Sequence, residues 1–261
     1  MSTEVEERIT PFQFIRHFAQ AAENPGSEIR VSPLVIGSWN RAFVEGLVEE
    51  TRAQPVAGWP FEACYTASID GRPVSFIRLP VGAPAAVSTV ECLIACGAKR
   101  IVGVGMAGSL RSTLRIGDIL LADHCLIEEG TSRHYVGEQS ESSASPVLAD
   151  ALLDILRAEG ISYQTGKIWT TDAIFRELKS KIETYARQGI AGVEMETSAL
   201  YTIGSFRNID ICNLLVITDE LWDEWNPHLV RSARVEAAFR KIHLALQNGG
   251  IYRLIAGIEA V

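Results

Sequence analysis

The chain has 261 residues, 47% of them hydrophobic and 21% charged, enough for one large α/β domain with a substantial core. Its net charge of −8 argues against a polyanion-binding surface, since nucleic-acid recognition needs clustered Lys and Arg. No apolar run is long enough to span a bilayer, and the acidic start Met1-Ser2-Thr3-Glu4-Val5-Glu6-Glu7 is unlike a secretory leader, so a cytoplasmic protein is expected, without nucleic-acid or membrane partners.

In chain order, residues 1–30 read as an amphipathic helical lead-in. Phe12, Ile15, Phe18 and Ala19 recur at helical spacing, and Glu23-Asn24-Pro25-Gly26-Ser27 forms a closing turn. Residues 33–37 look like a short buried strand, followed by a helix through Leu47. Segments 61–69 and 73–79 flank Asp70-Gly71, the strongest short-range hairpin signal in the chain. A helix over 84–95 leads to a buried strand over 100–105, which ends in glycine. Strands are expected over 118–127 and 163–169, with a helix over 146–158 between them and a mobile Ser-rich loop over 138–145. After 190–193 come a helix to about Ile203, a strand over 209–217 and a long terminal helix over 227–247. Alternating strands and helices predict an α/β sheet covered on both faces, in one domain.

Five cysteines (Cys64, Cys92, Cys96, Cys125 and Cys212) show no metal-type spacing and read as small buried hydrophobes. The histidines show none either, although His134 falls in a loop that returns below. Neither a dinucleotide nor a phosphate-loop fingerprint is present, so no organic cofactor and no metal are expected.

Four short stretches are candidates for chemistry. Glu194 and Glu196 bracket Met195 in an otherwise apolar segment at a strand's carboxyl end, where open α/β sheets bind ligands. Ionised carboxylates are rarely buried without partners, so these acids either decorate a helix N-terminus or face a polar ligand. Asp219 follows the strand over 209–217 and is either a helix cap or a general acid. Met106, Ala107 and Gly108 lie in a small-residue turn after a strand, where backbone amides can approach an anion or a sugar. Gly37 and Arg41 occupy a strand-to-helix turn, a further anion site.

Taken together these stretches resemble one family. Gly37-x-x-x-Arg41, Ala107-Gly108-Ser109-Leu110 with Ile116-Gly117-Asp118 behind it, Gly192-Val193-Glu194-Met195-Glu196 and Thr218-Asp219 follow the order of the nucleoside phosphorylases. The branch is the one that contains uridine phosphorylase and bacterial hexameric purine nucleoside phosphorylase. Glu129-Gly130-Thr131-Ser132-Arg133-His134-Tyr135 and Trp169-Thr170-Thr171-Asp172 are similar to it as well. The resemblance spans roughly 33–248 and is most specific at Val193-Glu194-Met195-Glu196.

The resemblance implies a catalytic domain over 31–261 with a central mixed β-sheet flanked by helices, and a homo-oligomer (dimer, trimer or hexamer). It implies cleavage of the N-glycosidic bond of a purine or related nucleoside by phosphate, the co-substrate, giving free base and ribose 1-phosphate. Glu196 would take the ribose hydroxyls, Met195 would pack on the sugar, and Glu194 would lie nearer the base. Asp219 would protonate the leaving base, and Phe175 would line the base pocket. The chain departs from the family at the phosphate cradle. Gly103 and Met106 stand where phosphorylases usually carry Arg and Ser or Thr, and Pro60 aligns near an Arg lent by a neighbouring subunit. Gly37 and Arg41 remain. A nucleosidase using water is therefore the alternative, and a non-catalytic nucleoside-sensing module a more distant one.

Overall fold

A computed structural model describes residues 7–21, 28–229 and 231–256. Helix α1 (Pro11–Ala21) forms where the apolar spacing predicts it and buries Ile15, but Phe12 and Phe18 stay exposed. The turn expected at 23–27 lies outside the described residues. Strand β1 (Leu34–Ser38) leads into α2 (Arg41–Thr51), whose first turn is capped by the Asn40 side chain accepting from the Phe43 amide at 3.1 Å. A two-residue β2 (Gln54–Pro55) precedes the hairpin of β3 (Cys64–Ile69) and β4 (Arg72–Arg78). Its turn is Asp70-Gly71 with φ of 48° and 79°, the left-handed twist that a two-residue hairpin requires.

Helix α3 (Ala83–Ala95) delivers the chain to β5 (Arg100–Ser109), and β6 (Ile119–Glu128) follows. The single-turn α4 (Arg133–Val136), β7 (Glu141–Ser143) and α5 (Pro146–Ala158) come next. They are succeeded by β8 (Gln164–Thr171), α6 (Lys179–Arg187), β9 (Gly192–Glu194) and α7 (Thr197–Arg207). Strand β10 (Asp210–Glu220), β11 (Asn226–Pro227), α8 (Ala233–Ala245) and α9 (Ile251–Ile255) complete the described chain.

The sheet is mixed. Strands β4, β1, β5 and β10 run parallel, and β6 joins β10 antiparallel. Strand β8 lies parallel to β6, β9 parallel to β8, and β9 returns antiparallel to β5. Strands β5, β10, β6, β8 and β9 thus close a ring, and β1, β4, β3 and β2 extend from it as an open sheet. One continuous core of buried side chains from strands and flanking helices joins the two parts. All five cysteines are buried and unpaired with one another, and burial pushes the Cys64 and Cys96 thiols up to about 12.

Four expectations need correction. Residues 104–109 are not a turn: β5 continues through them, because β9 and β10 pair with both of its edges. That pairing overrides the weak strand preference of Gly105, Ala107 and Gly108. Asp219 lies within β10 rather than beyond it, paired with Gly108 on one side and Pro227 on the other. The Ser-rich segment holds β7, paired with β6, and buries Ser142, whose hydroxyl donates to the Ser198 carbonyl at 2.9 Å. The terminal helix starts at Ala233, since Pro227 is held in β11.

Candidate active site

The parallel strands β1, β5 and β10 end on one side of the sheet, the position at which such sheets bind ligands. A cavity of about 480 Å³ lies there. Its floor is the far half of β5, from Gly105 to Gly108, beside Leu215, Thr218 and Asp219 of β10. Glycine is needed at two of these positions. A Cβ at Gly105 would come 3.0 Å from the Trp39 ring, and one at Gly108 would come 2.3 Å from Leu221 and 3.1 Å from an Asp219 carboxylate oxygen. The small residues of the sequence motif therefore make room for a tryptophan and an acid.

Glu194, Met195 and Glu196 form one wall. Period 2 of the short β9 would send both acids to one side, but the chain turns into α7 directly after Glu194, and the two carboxylates have different fates. Glu194 is buried and fully engaged. The Thr170 hydroxyl donates to its Oε1 at 2.6 Å, while the Glu196 amide, the Thr197 amide and the Thr197 hydroxyl each donate to Oε2 at 2.8 Å. Burial pushes its pKa up against these bonds, which favour the ionised form. Glu194 lines the cavity with both oxygens engaged, fastening β8 to the start of α7. Glu194→Ala would leave several buried donors without an acceptor and is expected to cost about 3 kcal/mol or more. A urea unfolding curve measures it, and a midpoint equal to the parent's would contradict that account.

Glu196 differs. One carboxylate oxygen accepts from the Gly82 amide just ahead of α3, and the side chain also lines the cavity. Burial, reinforced by the Glu194 carboxylate, pushes its pKa up to about 8. Met195, half-buried, lines the cavity beside it.

Asp219 lines the cavity together with the loop that follows β8. The register of β10 against β5 slips between Ile217 and Asp219, and this irregularity aims the acid inward. The Thr218 hydroxyl donates to Asp219 Oδ1 at 3.1 Å and the Trp225 indole N–H to Oδ2 at 3.0 Å. Burial raises the Asp219 pKa, with those two hydrogen bonds opposing. Phe175 lines the mouth and is 96% exposed.

The structure thus brings Met106, Ala107, Gly108, Phe175, Glu194, Met195, Glu196 and Asp219 to one cavity. It does not bring Gly37 or Arg41 to its wall. Gly37 is a packing residue, as a Cβ there would meet Leu79 at 2.7 Å. The Arg41 side chain is 72% exposed and paired with Glu45 at 2.6 Å. Sequence reasoning missed Trp39, Glu177, Lys179, Asp223 and Trp225. Glu177 and Lys179 stand within four residues of Phe175, and Asp223 and Trp225 just past the end of β10, so proximity to residues already chosen was the available signal. Among the described residues, no group of three His, Cys, Asp or Glu side chains is placed to hold a metal ion. No helix among them is long and apolar enough to cross a membrane.

The model of the phosphorylase superfamily matches residues 40–246. The chain belongs to that superfamily. A purine nucleoside phosphorylase of the DeoD type from Clostridium novyi is 28% identical over 159 residues, 60% of this chain and 68% of that protein. A DeoD-type enzyme from Mannheimia succiniciproducens is 23% identical over 206 residues, 78% of this chain and 82% of that protein. The crystal structure of purine nucleoside phosphorylase from Toxoplasma gondii in complex with immucillin-H superposes with a TM-score of 0.76 at 25% identity, covering 85% of this chain and 92% of that one. Uridine phosphorylase from Vibrio fischeri gives 0.72 at 25% identity, over 86% and 91% of the two chains.

Proposed function

We propose that the chain is a nucleoside phosphorylase that cleaves the N-glycosidic bond of a purine or related nucleoside with phosphate, releasing free base and ribose 1-phosphate. The observation that carries the reading is Glu196, a cavity carboxylate with one oxygen fixed by the Gly82 amide, facing the same space as Asp219. A carboxylate accepts from both hydroxyls of a vicinal diol. Its charge favours the oxocarbenium-like sugar of the transition state over the neutral ground state. Phosphate oxygen bonds to C1′ as the C1′–N bond breaks, the electron pair goes to the base, and Asp219 supplies a proton at purine N7. Met195 packs on the sugar and Phe175 covers the base.

Phosphate is the co-substrate, and no metal or organic cofactor enters the scheme. Arg41 is its ligand: its pair with Glu45 is exposed and screened by solvent, so the guanidinium turns to an arriving anion at little cost. Its place at the start of α2, beyond the end of β1, puts it on the cavity's side of the sheet. Arg41→Ala is expected to raise the KM for phosphate about tenfold or more and to leave the KM for nucleoside nearly unchanged. Equal phosphate KM values in the two proteins would remove Arg41 from the scheme. Residues 31–261 form the catalytic domain and 1–30 a lead-in, within which α1 buries Ile15. The enzyme is cytoplasmic and works as a homo-oligomer, which covers the exposed Val81, Phe175, Trp225 and Leu229 around the mouth.

Hydrolysis is the second reading, favoured by one observation: Lys179 is the lone cation among the described residues lining the cavity. A nucleoside panel incubated with and without phosphate, following free base and sugar 1-phosphate, tests both. Phosphate-dependent base release is expected. Base released equally well without phosphate, with free ribose as the other product, would replace phosphorolysis by hydrolysis.

A further inference from the structure

The cavity holds two acids for which the scheme above has no use, Glu177 and the exposed Asp223. Glu177 follows a short 3-10 turn over Ile174–Arg176 and lines the cavity wall with Phe175 and Asp219. It is half-buried, yet no described group gives it a hydrogen bond: burial and the Asp219 charge are what act on it. Lys179 at the start of α6 and Asp223 beyond β10 line the same cavity, as do Glu194 and Glu196. Glu194 is saturated, Glu196 is held by Gly82, Asp219 accepts from Thr218 and Trp225, and Asp223 is exposed, which leaves Glu177 as the half-buried cavity carboxyl whose acceptors are unspent.

We propose that Glu177 is a specificity-determining residue that reads the base next to Asp219, selecting purines that carry an exocyclic amino group at C6. The inference rests on the nucleoside reading of the cavity and follows from the shape of a purine. N7 and the C6 substituent lie side by side on one edge of the ring system. If Asp219 gives its proton to N7, the neighbouring acid meets the C6 substituent. A 6-amino group donates to a carboxylate, whereas a 6-oxo group offers only lone pairs and leaves that carboxylate unpaired. A buried acceptor left without a donor is costly, and sites built on such a contact discriminate strongly between analogues.

Ionisation gives the proposal a second handle. Burial and the Asp219 charge push the Glu177 carboxyl up to about 7. Below that pH the acid is protonated and can donate to a 6-oxo group; above it the carboxylate accepts only. The preference for 6-amino over 6-oxo nucleosides therefore rises with pH through about 7.

The test compares kcat/KM for adenosine and inosine, with phosphate, in the parent protein and in Glu177→Gln at pH 6 and pH 8. The parent is expected to favour adenosine by about tenfold or more at the higher pH and by less at the lower. In Glu177→Gln, whose amide both donates and accepts, the ratio is expected to fall toward unity and lose its pH dependence. A ratio unchanged by the substitution, or equally pH-dependent in both proteins, overturns the role of Glu177 while leaving nucleoside cleavage standing. A parent protein that cleaves neither nucleoside overturns the nucleoside reading, and this inference with it.

Discussion

Glu196→Gln is expected to lower ribonucleoside turnover on the order of 10²-fold or more, with kcat falling along with kcat/KM. Glutamine keeps the length of the side chain and its bond to the Gly82 amide, so the wall of the cavity stays in place. What disappears is the negative charge that the forming oxocarbenium needs. Because that charge matters more in the transition state than in the bound substrate, the loss is not confined to KM. The same residue sets a pH dependence. With burial and Glu194 pushing Glu196 up to about 8, the free protein carries much of it protonated at neutral pH. Only the ionised form accepts from both hydroxyls, so KM for a ribonucleoside should fall as pH rises toward 8. Steady-state kinetics on a ribonucleoside and its 2′-deoxy counterpart measures both effects. Near-parental turnover by Glu196→Gln would remove the ribose contact from the scheme.

Asp219→Asn should cost about 10²–10⁴-fold on purine nucleosides. Asparagine can hold the contacts with Thr218 and Trp225 but cannot transfer a proton. The penalty should shrink for nucleosides whose base leaves well without protonation. Equal penalties for good and poor leaving groups would make Asp219 a structural acid that merely anchors Trp225.

Much of this was legible in the sequence, for identifiable reasons. The hairpin at Asp70-Gly71 and the strand β1 come from local signals that the structure keeps. The ring of strands was not legible, because β5 pairs with β9 and β10, distant segments whose register no local pattern encodes. Glycines that read as a turn are strand residues for the same reason. Within the site, the motif around Met195 carried both acids, yet their unequal roles depend on Thr170 and Gly82, which lie far away in the chain. Glu177 and Trp225 sit in irregular segments, where neither period 2 nor period 3.6 marks a side chain as inward.

The ring also constrains the order in which this chain can mature. Strand β5 finds β1 on part of one edge as soon as both have been synthesised, but the rest of that edge waits for β9 at Gly192 and the whole of the other edge for β10 at Asp210. Until then a strand carrying Ile101, Val102 and Val104, all fully buried in the finished fold, presents open backbone N–H and C=O groups to its surroundings. Unpaired apolar edges are templates for association with other chains, and domains are made from the N-terminus onward. The nascent protein is therefore most exposed to aggregation on the ribosome between the appearance of β5 and that of β10. A stalled or truncated product ending in that interval should depend on chaperones in a way that the complete chain does not.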